Sequence, residues 1–306
     1  MTAIRKPRSS PFARGLSDRQ LAFMLVLPAA ILLLVFAVYP FVVAAFDSLF
    51  KINLLTRDRS FLGIDNYVHV VTTPAIQQAF VRSVIWTAAN VSIQLTIGVA
   101  IALLLNAKLR GQTLIRGLVL FPYMVPAVVV ALVFRFLFND LTGLVNVLLL
   151  QSGLIEKPIS FLSSPATVLW TLIVVNSWKY VPFMVIVILA RLQTVPAELY
   201  DAAAVDGAGR TLSFRHITLP WIMPVLLVAS LLRTIWAAYD FDIPYLLAFG
   251  GPLSASTTLP IQIRTLAFGQ AQIGLASALA VCVAILLVVA GYLYLRAYRR
   301  SEERMA

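Results

Sequence analysis

The sequence predicts an all-α polytopic membrane protein with six transmembrane helices and both termini in the cytoplasm. Three observations carry that prediction. Of 306 residues, 60% are hydrophobic and 12% charged, with mean hydropathy +0.91, whereas a soluble domain carries about 25% charge. Six apolar runs each approach or exceed the roughly 20 residues that a helix needs to cross a bilayer. The Lys and Arg residues cluster between alternate runs instead of spreading evenly.

Residues 1–20 hold Arg5, Lys6, Arg8, Arg14 and Arg19 against Asp18 and read as a basic cytoplasmic tail. The next run, Leu21 to about Ser48, is too long for a signal-peptide core and lacks a small-x-small cleavage site, so it reads as an uncleaved first span. Pro40 lies near its outer end, where neighbouring helices are expected to satisfy the freed carbonyl. Residues 49–80 mix charge, glycine and aromatics and read as an outer loop with a short surface helix.

The second span is expected at Val81 to Asn106, with Asn90 and Gln94 on one face because they are four apart. A third runs from about Thr113 to Leu137, bent by Pro122 and Pro126. Residues 138–166 form an outer loop, and the fourth span covers Ala166 to Ala190 with Asn176 and Lys179. The fifth covers about Trp221 to Leu247, an outer loop runs from Ala248 to Gln270, and the sixth covers Ile273 to Leu295. The organisation is therefore a tail at 1–20, one membrane domain at 21–295 with a polar loop at 196–220, and a tail at 296–306.

The charges agree with this order. The segments placed inside (1–20, 107–117, 191–216 and 296–306) hold 15 of the 24 Lys and Arg, among them Lys108, Arg110, Arg116, Arg299, Arg300 and Arg304. The outer loops hold Lys51, Arg57, Arg59, Lys157 and Arg264. Positive charge inside puts both termini in the cytoplasm. The same topology accounts for the net charge of +11 without nucleic acid. Cys282 stands alone, and two histidines with no HExxH or CxxC pattern give no reason to expect a metal.

Ionisable residues inside a membrane need a cavity or a partner. Arg82 and Arg135 are near span ends and can snorkel, leaving Lys179 and Arg233 as the deeper cations. Asp240 and Asp242 lie near the outer part of span five, and Asp240 shares a face with Arg233, seven residues away. Contact between that pair is expected through water or through another helix. Three roles are open to Arg233: holding the bundle, lining a cavity, or meeting another subunit. Asn90, Gln94 and Asn176 suit either helix-to-helix hydrogen bonds or a solute path. Acids occur only at the outer end of span five, which argues against an ion-coupled carrier.

Residues 196–224 (PAELYDAAAVDGAGRTLSFRHITLPWIMP) are the long polar interruption. Pro196 can open a helix, and Glu198 and Asp201 follow where the helix dipole favours acids. Ala202, Ala203, Ala204, Gly207 and Ala208 leave little bulk, so a helix of about 197–208 permits close approach by another surface. An amphipathic piece at about Leu212 to Thr218 then leads through Pro220 back to the membrane. The alternative is a connector lying on the bilayer, which is more often basic and bulky.

Asp201-Ala202-Ala203, Gly207, Ile217 and Leu219-Pro220 resemble, at the matching spacing, the cytoplasmic EAA signature of permease subunits of binding-protein-dependent ABC importers. The usual Glu is Asp201 here. Pro196, Glu198, Leu199, Tyr200, Asp206, Ala208, Phe214 and Thr218 resemble the fuller pattern of the carbohydrate branch. So do Phe61 to Tyr67, Pro122 with Pro126, Phe241-Asp242, Gly250-Gly251-Pro252 and Thr257 to Pro260. The resemblance runs from about residue 20 to 300 and is to the MalF-like type.

The resemblance implies the MalF/MetI-like transmembrane domain of type I importers in a bacterial inner membrane, moving a carbohydrate or sugar-like solute by alternating access. A polyol, glycerol phosphate, or sulfonated or otherwise modified glycoside is the alternative cargo, and the charge of the cavity should discriminate. Implied partners are a second homologous permease, usually a distinct MalG-like one, two ATPase subunits and an extracytoplasmic binding protein. ATP and Mg would sit on the ATPases. No cofactor is expected on this chain, which has no GxxxxGK[ST] loop and is not expected to be an enzyme.

The resemblance gives Asp201, Ala202, Ala203, Asp206, Gly207 and Arg210 as coupling residues. Candidates for the solute path are Asn90, Gln94, Asn176, Lys179, Arg233, Trp236, Tyr239, Asp240 and Asp242. Trp178, Tyr180, Trp236 and Tyr239 suit either stacking on sugar faces or ordinary packing. Candidates for docking the binding protein are Asp65, Asn66, Tyr67, Gly250, Gly251 and Pro252.

Overall fold

The computed structural model describes residues 17–107 and 111–303. Lys108, Arg110, Arg304 and the bases before Ser17 lie outside the described residues, as do the side chains of Arg299 and Arg300. Five helical stretches among the described residues are long and apolar enough to cross a bilayer, and a bent pair supplies a sixth.

The first stretch joins α1 (Asp18–Leu33) to α2 (Tyr39–Asp47) through a π-helical turn at Leu34–Val38. It opens with a capping box: Ser17 Oγ accepts from the Gln20 N–H, and Gln20 Oε1 accepts from the Ser17 N–H at 2.9 Å. At Pro40 the helix adjusts internally. Pro40 brings no N–H, and the preceding turn widens so that the Tyr39 N–H reaches the Leu34 carbonyl. The same device precedes Pro220, where the Leu219 N–H reaches the Phe214 carbonyl.

The first outer segment contains more than a surface helix. β1 (Phe50–Asn53) and β2 (Asp58–Phe61) form an antiparallel hairpin, followed by α3 (Asp65–Thr72). The next helix, α4 (Pro74–Asn106), starts seven residues before the expected Val81. Pro74 is the reason: its fixed φ suits a first helical turn, and the polar Gln77 and Gln78 are carried on helix instead of loop.

The third expected span breaks in two. α5 (Gln112–Met124) and α6 (Ala127–Leu137) meet at 95°. Val125 precedes a proline and is held extended (φ −73°, ψ 129°), so the helix cannot run through Pro126. The segment after it contains α7 (Leu144–Gln151), and α8 (Val168–Leu192) is the fourth span. α8 packs along α4, and Gly98 is where they meet: a Cβ there would lie 2.5 Å from Met184 Cβ.

Beyond α9 (Ala197–Val205) and α10 (Arg210–Ser213), the fifth span is α11 (Leu219–Tyr239), followed after a break by α12 (Asp242–Ala248). Asp240 is extended there (ψ 111°), and its Oδ1 accepts from the Ile243 N–H in the first turn of α12. The expected outer loop at 248–270 is not a simple loop. α13 (Leu259–Arg264) folds inward from Pro260 and buries Ile261, while Leu259 and, just past its end, Leu266 pack against α4 and α14 (Ile273–Glu303). Apolar burial of Leu259 and Leu266 turns this part of the expected loop into packed helix.

Three buried clusters result. One joins α3, α4, α13 and α14, one joins α4, α8 and α11, and one joins α4, α6, α8 and α12. The helices α4, α8 and α11 therefore form the centre, with the hairpin at one end and the 193–218 loop at the other.

Candidate functional site

Polar side chains from all three central helices converge into one network. On α4, Asn90 Nδ2 donates to the Trp86 carbonyl at 2.8 Å, while Trp86 Nε1 donates to the Ala237 carbonyl of α11 at 2.9 Å. On α8, Ser177 Oγ donates to Asn90 Oδ1 at 3.2 Å. Gln94 Nε2 donates to Asn176 Oδ1 at 3.3 Å and reaches Asn90 Oδ1 at 3.4 Å. Gln94 Oε1 accepts from Arg233 Nε at 2.7 Å, and Asn176 Nδ2 donates to Asp240 Oδ2. Arg233 and Asp240 are thus linked through Gln94 and Asn176, the amides of two other helices. Buried amides in a membrane interior have no water to bond, so these partners fix the helices against one another.

The cations are held differently from one another. Lys179 Nζ donates to the Val125 carbonyl, at the break between α5 and α6. The guanidinium of Arg233 lies 4.3 Å from the Tyr180 ring centroid and 5.9 Å from that of Trp236. Around it stand Tyr123, 6.1 Å from Tyr180, and Phe183, 5.0 Å from Trp236. Tyr123, Tyr180, Phe183 and Trp236 make an aromatic wall, and Arg233 itself is 2% exposed while Trp236 is 43% exposed. Tyr239 and Asp242 are exposed at the α11–α12 break. Trp178 lies apart from the wall, edge-on to Phe134 of α6.

Tyr123 and Phe183 were not singled out from sequence. Tyr123 had a signal, since it stands between Pro122 and Pro126 where the helix breaks. Phe183 had none: it is one aromatic in a run of apolar residues, and only packing brings it to Trp236.

The second region is the loop between α8 and α11. Asp201, Ala202 and Ala203 lie on α9, whose C-terminus closes with a Schellman turn: the Ala208 N–H reaches the Ala203 carbonyl at 2.8 Å, and the Gly207 N–H reaches Ala204 at 3.1 Å. Gly207 occupies the left-handed position of that turn with φ +76°. Asp201, Ala202, Asp206, Gly207 and Arg210 are exposed, and Ala203 is half-buried.

The base of this loop is clasped. Tyr200 Oη and Thr218 Oγ1 are 2.8 Å apart, tying α9 to the turn that enters α11. Trp221 Nε1 donates to Thr194 Oγ1 at 3.1 Å, Arg191 Nε donates to the Trp221 carbonyl at 3.0 Å, and the Arg191 guanidinium covers the Trp221 ring at 5.0 Å. Sequence reading did not find this Arg191–Trp221–Thr194 clasp, because its members lie 27 to 30 residues apart.

At the hairpin end the docking candidates divide. Asp65 is exposed at the start of α3. Asn66 is buried and donates to the Ser48 and Phe50 carbonyls at 2.8 and 2.9 Å, and Tyr67 Oη lies 2.7 Å from Ser48 Oγ. Asn66 thus ties α3 to the end of α2 and the start of β1, and Tyr67 ties it to the end of α2. Gly250 is buried, and its carbonyl accepts from Thr257 Oγ1 at 2.9 Å. Gly251 and Pro252 line a cleft of about 510 Å³ with Arg135, Asn139, Asp140 and Ser163.

Comparison with known proteins gives one consistent picture. The family described as "Binding-protein-dependent transport system inner membrane component" matches residues 94–306. The chain is 32% identical over 285 residues to the trehalose/maltose transport system permease protein MalF of Thermococcus litoralis, covering 92% of this chain and 95% of that one. It is 36% identical over 288 residues to the sulfoquinovosyl glycerol transport system permease protein SmoG of Agrobacterium fabrum, covering 94% and 93%. In fold it is similar to a chain of a bacterial ABC transporter involved in the import of the acidic polysaccharide alginate, with TM-score 0.80, 24% identity, and 92% and 95% of the two chains covered.

Proposed function

The chain belongs to the family of binding-protein-dependent transport system inner membrane components, and from that premise we propose how its two polar regions divide the work of import. The protein is a transmembrane permease subunit of an ABC importer. Its cargo is a carbohydrate or sugar-like solute. The relatives named for trehalose and maltose and for sulfoquinovosyl glycerol support this, as does an aromatic wall suited to sugar faces.

In this reading the chain spans a bacterial inner membrane with both termini and the 193–218 loop in the cytoplasm. It pairs with a second, homologous permease, of the MalG-like type. Two ATPase subunits bind and hydrolyse ATP with Mg, so this chain has no catalytic role of its own. An extracytoplasmic binding protein delivers the solute at the hairpin end, where Asp65, Gly251 and Pro252 remain the docking candidates.

The observation that carries the reading is the placement of α9. It is exposed along most of its length, yet Tyr200 ties it to the turn entering α11, while Arg191 and Thr194 tie the end of α8 to Trp221 of α11, and these two helices carry Asn176 and Arg233. A seated α9 that follows the ATPases would move those two helices as a unit, because a braced loop transmits displacement that a loose one absorbs. Lys179 and the α5–α6 break lie beside the same network, so a shift of α8 also displaces Val125.

The test is uptake of a labelled sugar into proteoliposomes holding the complete importer and its binding protein. ATP-dependent uptake that requires the ATPases is expected. Equal uptake by this permease without any ATPase would overturn the reading.

A further inference from the structure

We infer that the imported solute carries an anionic group, a sulfonate, carboxylate or phosphate, and that Arg233 receives it. The inference rests on the importer reading and sharpens its cargo.

Arg233 is 2% exposed in the centre of the bundle. Its Nε is used by Gln94, but its Nη2 is buried and has no hydrogen-bond partner. Nor does any carboxylate among the described residues lie within ion-pair distance of it. The ion pairs among the described residues are Lys51–Asp58 and Arg59–Asp47, both at the hairpin end. Asp240 shares a face of the same chain segment, yet its two oxygens accept from Asn176 Nδ2 and from the Ile243 N–H. A cation retained only to hold the bundle would be expected to pair with that carboxylate, since an unpaired charge away from water is costly.

The surroundings add to this. Lys179, one residue before Tyr180, donates to a neutral carbonyl and lies 5.3 Å from the Tyr180 ring, so two cations flank one aromatic. A planar guanidinium with a free N–H suits an oxyanion, whose oxygens accept in the plane of the fork. The Trp236 ring lies 5.9 Å from the guanidinium and is 43% exposed, which puts the free donor one aromatic ring behind the accessible wall. Sulfonate, carboxylate and phosphate share this chemistry, so the assay must separate them.

The experiment uses the complete importer with its own binding protein in proteoliposomes. Four probes are compared: a 6-sulfonated glucoside, a glucuronide, a glucoside 6-phosphate and the unmodified neutral glucoside. At least one anionic probe should enter tenfold or more faster than the neutral one. Arg233→Gln should cut that uptake at least tenfold, Arg233→Lys should restore part of it, and binding-protein affinity for the probe should stay unchanged. Neutral glucoside entering faster than every anionic probe would overturn the anion inference and leave the importer reading standing. So would Arg233→Gln importing the anionic probe at the wild-type rate. No ATP-dependent entry of any glycoside would instead overturn the carbohydrate reading, and the inference with it. If Arg233→Gln does not assemble, the four-probe comparison with wild-type importer decides alone.

Discussion

The Nε–H of Arg233 on α11 donates to Oε1 of Gln94 on α4 at 2.7 Å, and that bond fixes how the guanidinium is presented. Gln94 also donates to Asn176 of α8, so one amide sets the position of both the cation and the asparagine that holds Asp240. The network is a positioning device built from three helices, and its deletion should be felt in stability as well as transport.

Gln94→Leu removes the acceptor of a charged hydrogen bond and leaves Arg233 with another idle donor. The expected loss is about 2–3 kcal/mol, visible as a lower melting temperature of the purified complex. Gln94→Glu should behave oppositely in stability, since it places a carboxylate beside the guanidinium, and yet impair uptake by occupying Arg233. Unchanged melting in Gln94→Leu would remove Gln94 from this role.

The clasp at the base of the loop makes a separate prediction. Tyr200→Phe and Thr218→Val each remove one side of the 2.8 Å contact while keeping nearly the same shape. Either variant should assemble with the ATPases and hydrolyse ATP but import less solute per ATP. The double variant should be no worse than the single ones, because both break the same bond. A fully additive loss would show that the two hydroxyls act separately.

Gly98 tests the packing on which the network rests. Gly98→Leu would force α4 away from α8, as even a Cβ falls 2.5 Å from Met184 Cβ. Overpacking of this kind costs about 1–3 kcal/mol, read as reduced yield of folded complex and a lower melting temperature. Met184→Ala in the same chain should recover part of the loss. Wild-type stability of Gly98→Leu alone would mean that the helices separate freely there.

Much of this architecture was legible in the sequence, and the limits have physical causes. Apolar runs and charge placement disclose the spans because a bilayer imposes a length on each helix. The spacing of Asn90 and Gln94 disclosed a shared face, and the seven-residue spacing of Arg233 and Asp240 did the same, leaving water or another helix as the link between them. What stayed hidden depends on tertiary contacts. The inward fold of α13, inside the expected outer loop 248–270, is decided by apolar burial against α4 and α14. Val125 shows why the third span became two: a proline in a run predicts a bend, but a 95° break also needs a donor for the freed carbonyl, and that donor is Lys179, 54 residues on.

The loop itself supplies the last prediction. Gly207 holds φ +76°, a conformation that costs a residue with a side chain about 1–2 kcal/mol, but no atom lies within 4 Å of the position a Cβ would take. Gly207→Leu should therefore strain the Schellman turn without any clash inside this chain, leaving α4, α8 and α11 folded. Asp201→Arg reverses charge on the exposed face of α9 and touches no buried contact. Both variants should insert and melt like wild type within about 1–2 kcal/mol, yet bind the ATPases more weakly and lose most ATP-driven uptake. Co-purification with the ATPases, measured beside uptake, separates the possibilities. Loss of both together marks α9 as the docking element, because the bundle is intact while its outer surface is changed. Normal association and normal uptake in both variants would place docking elsewhere on the chain.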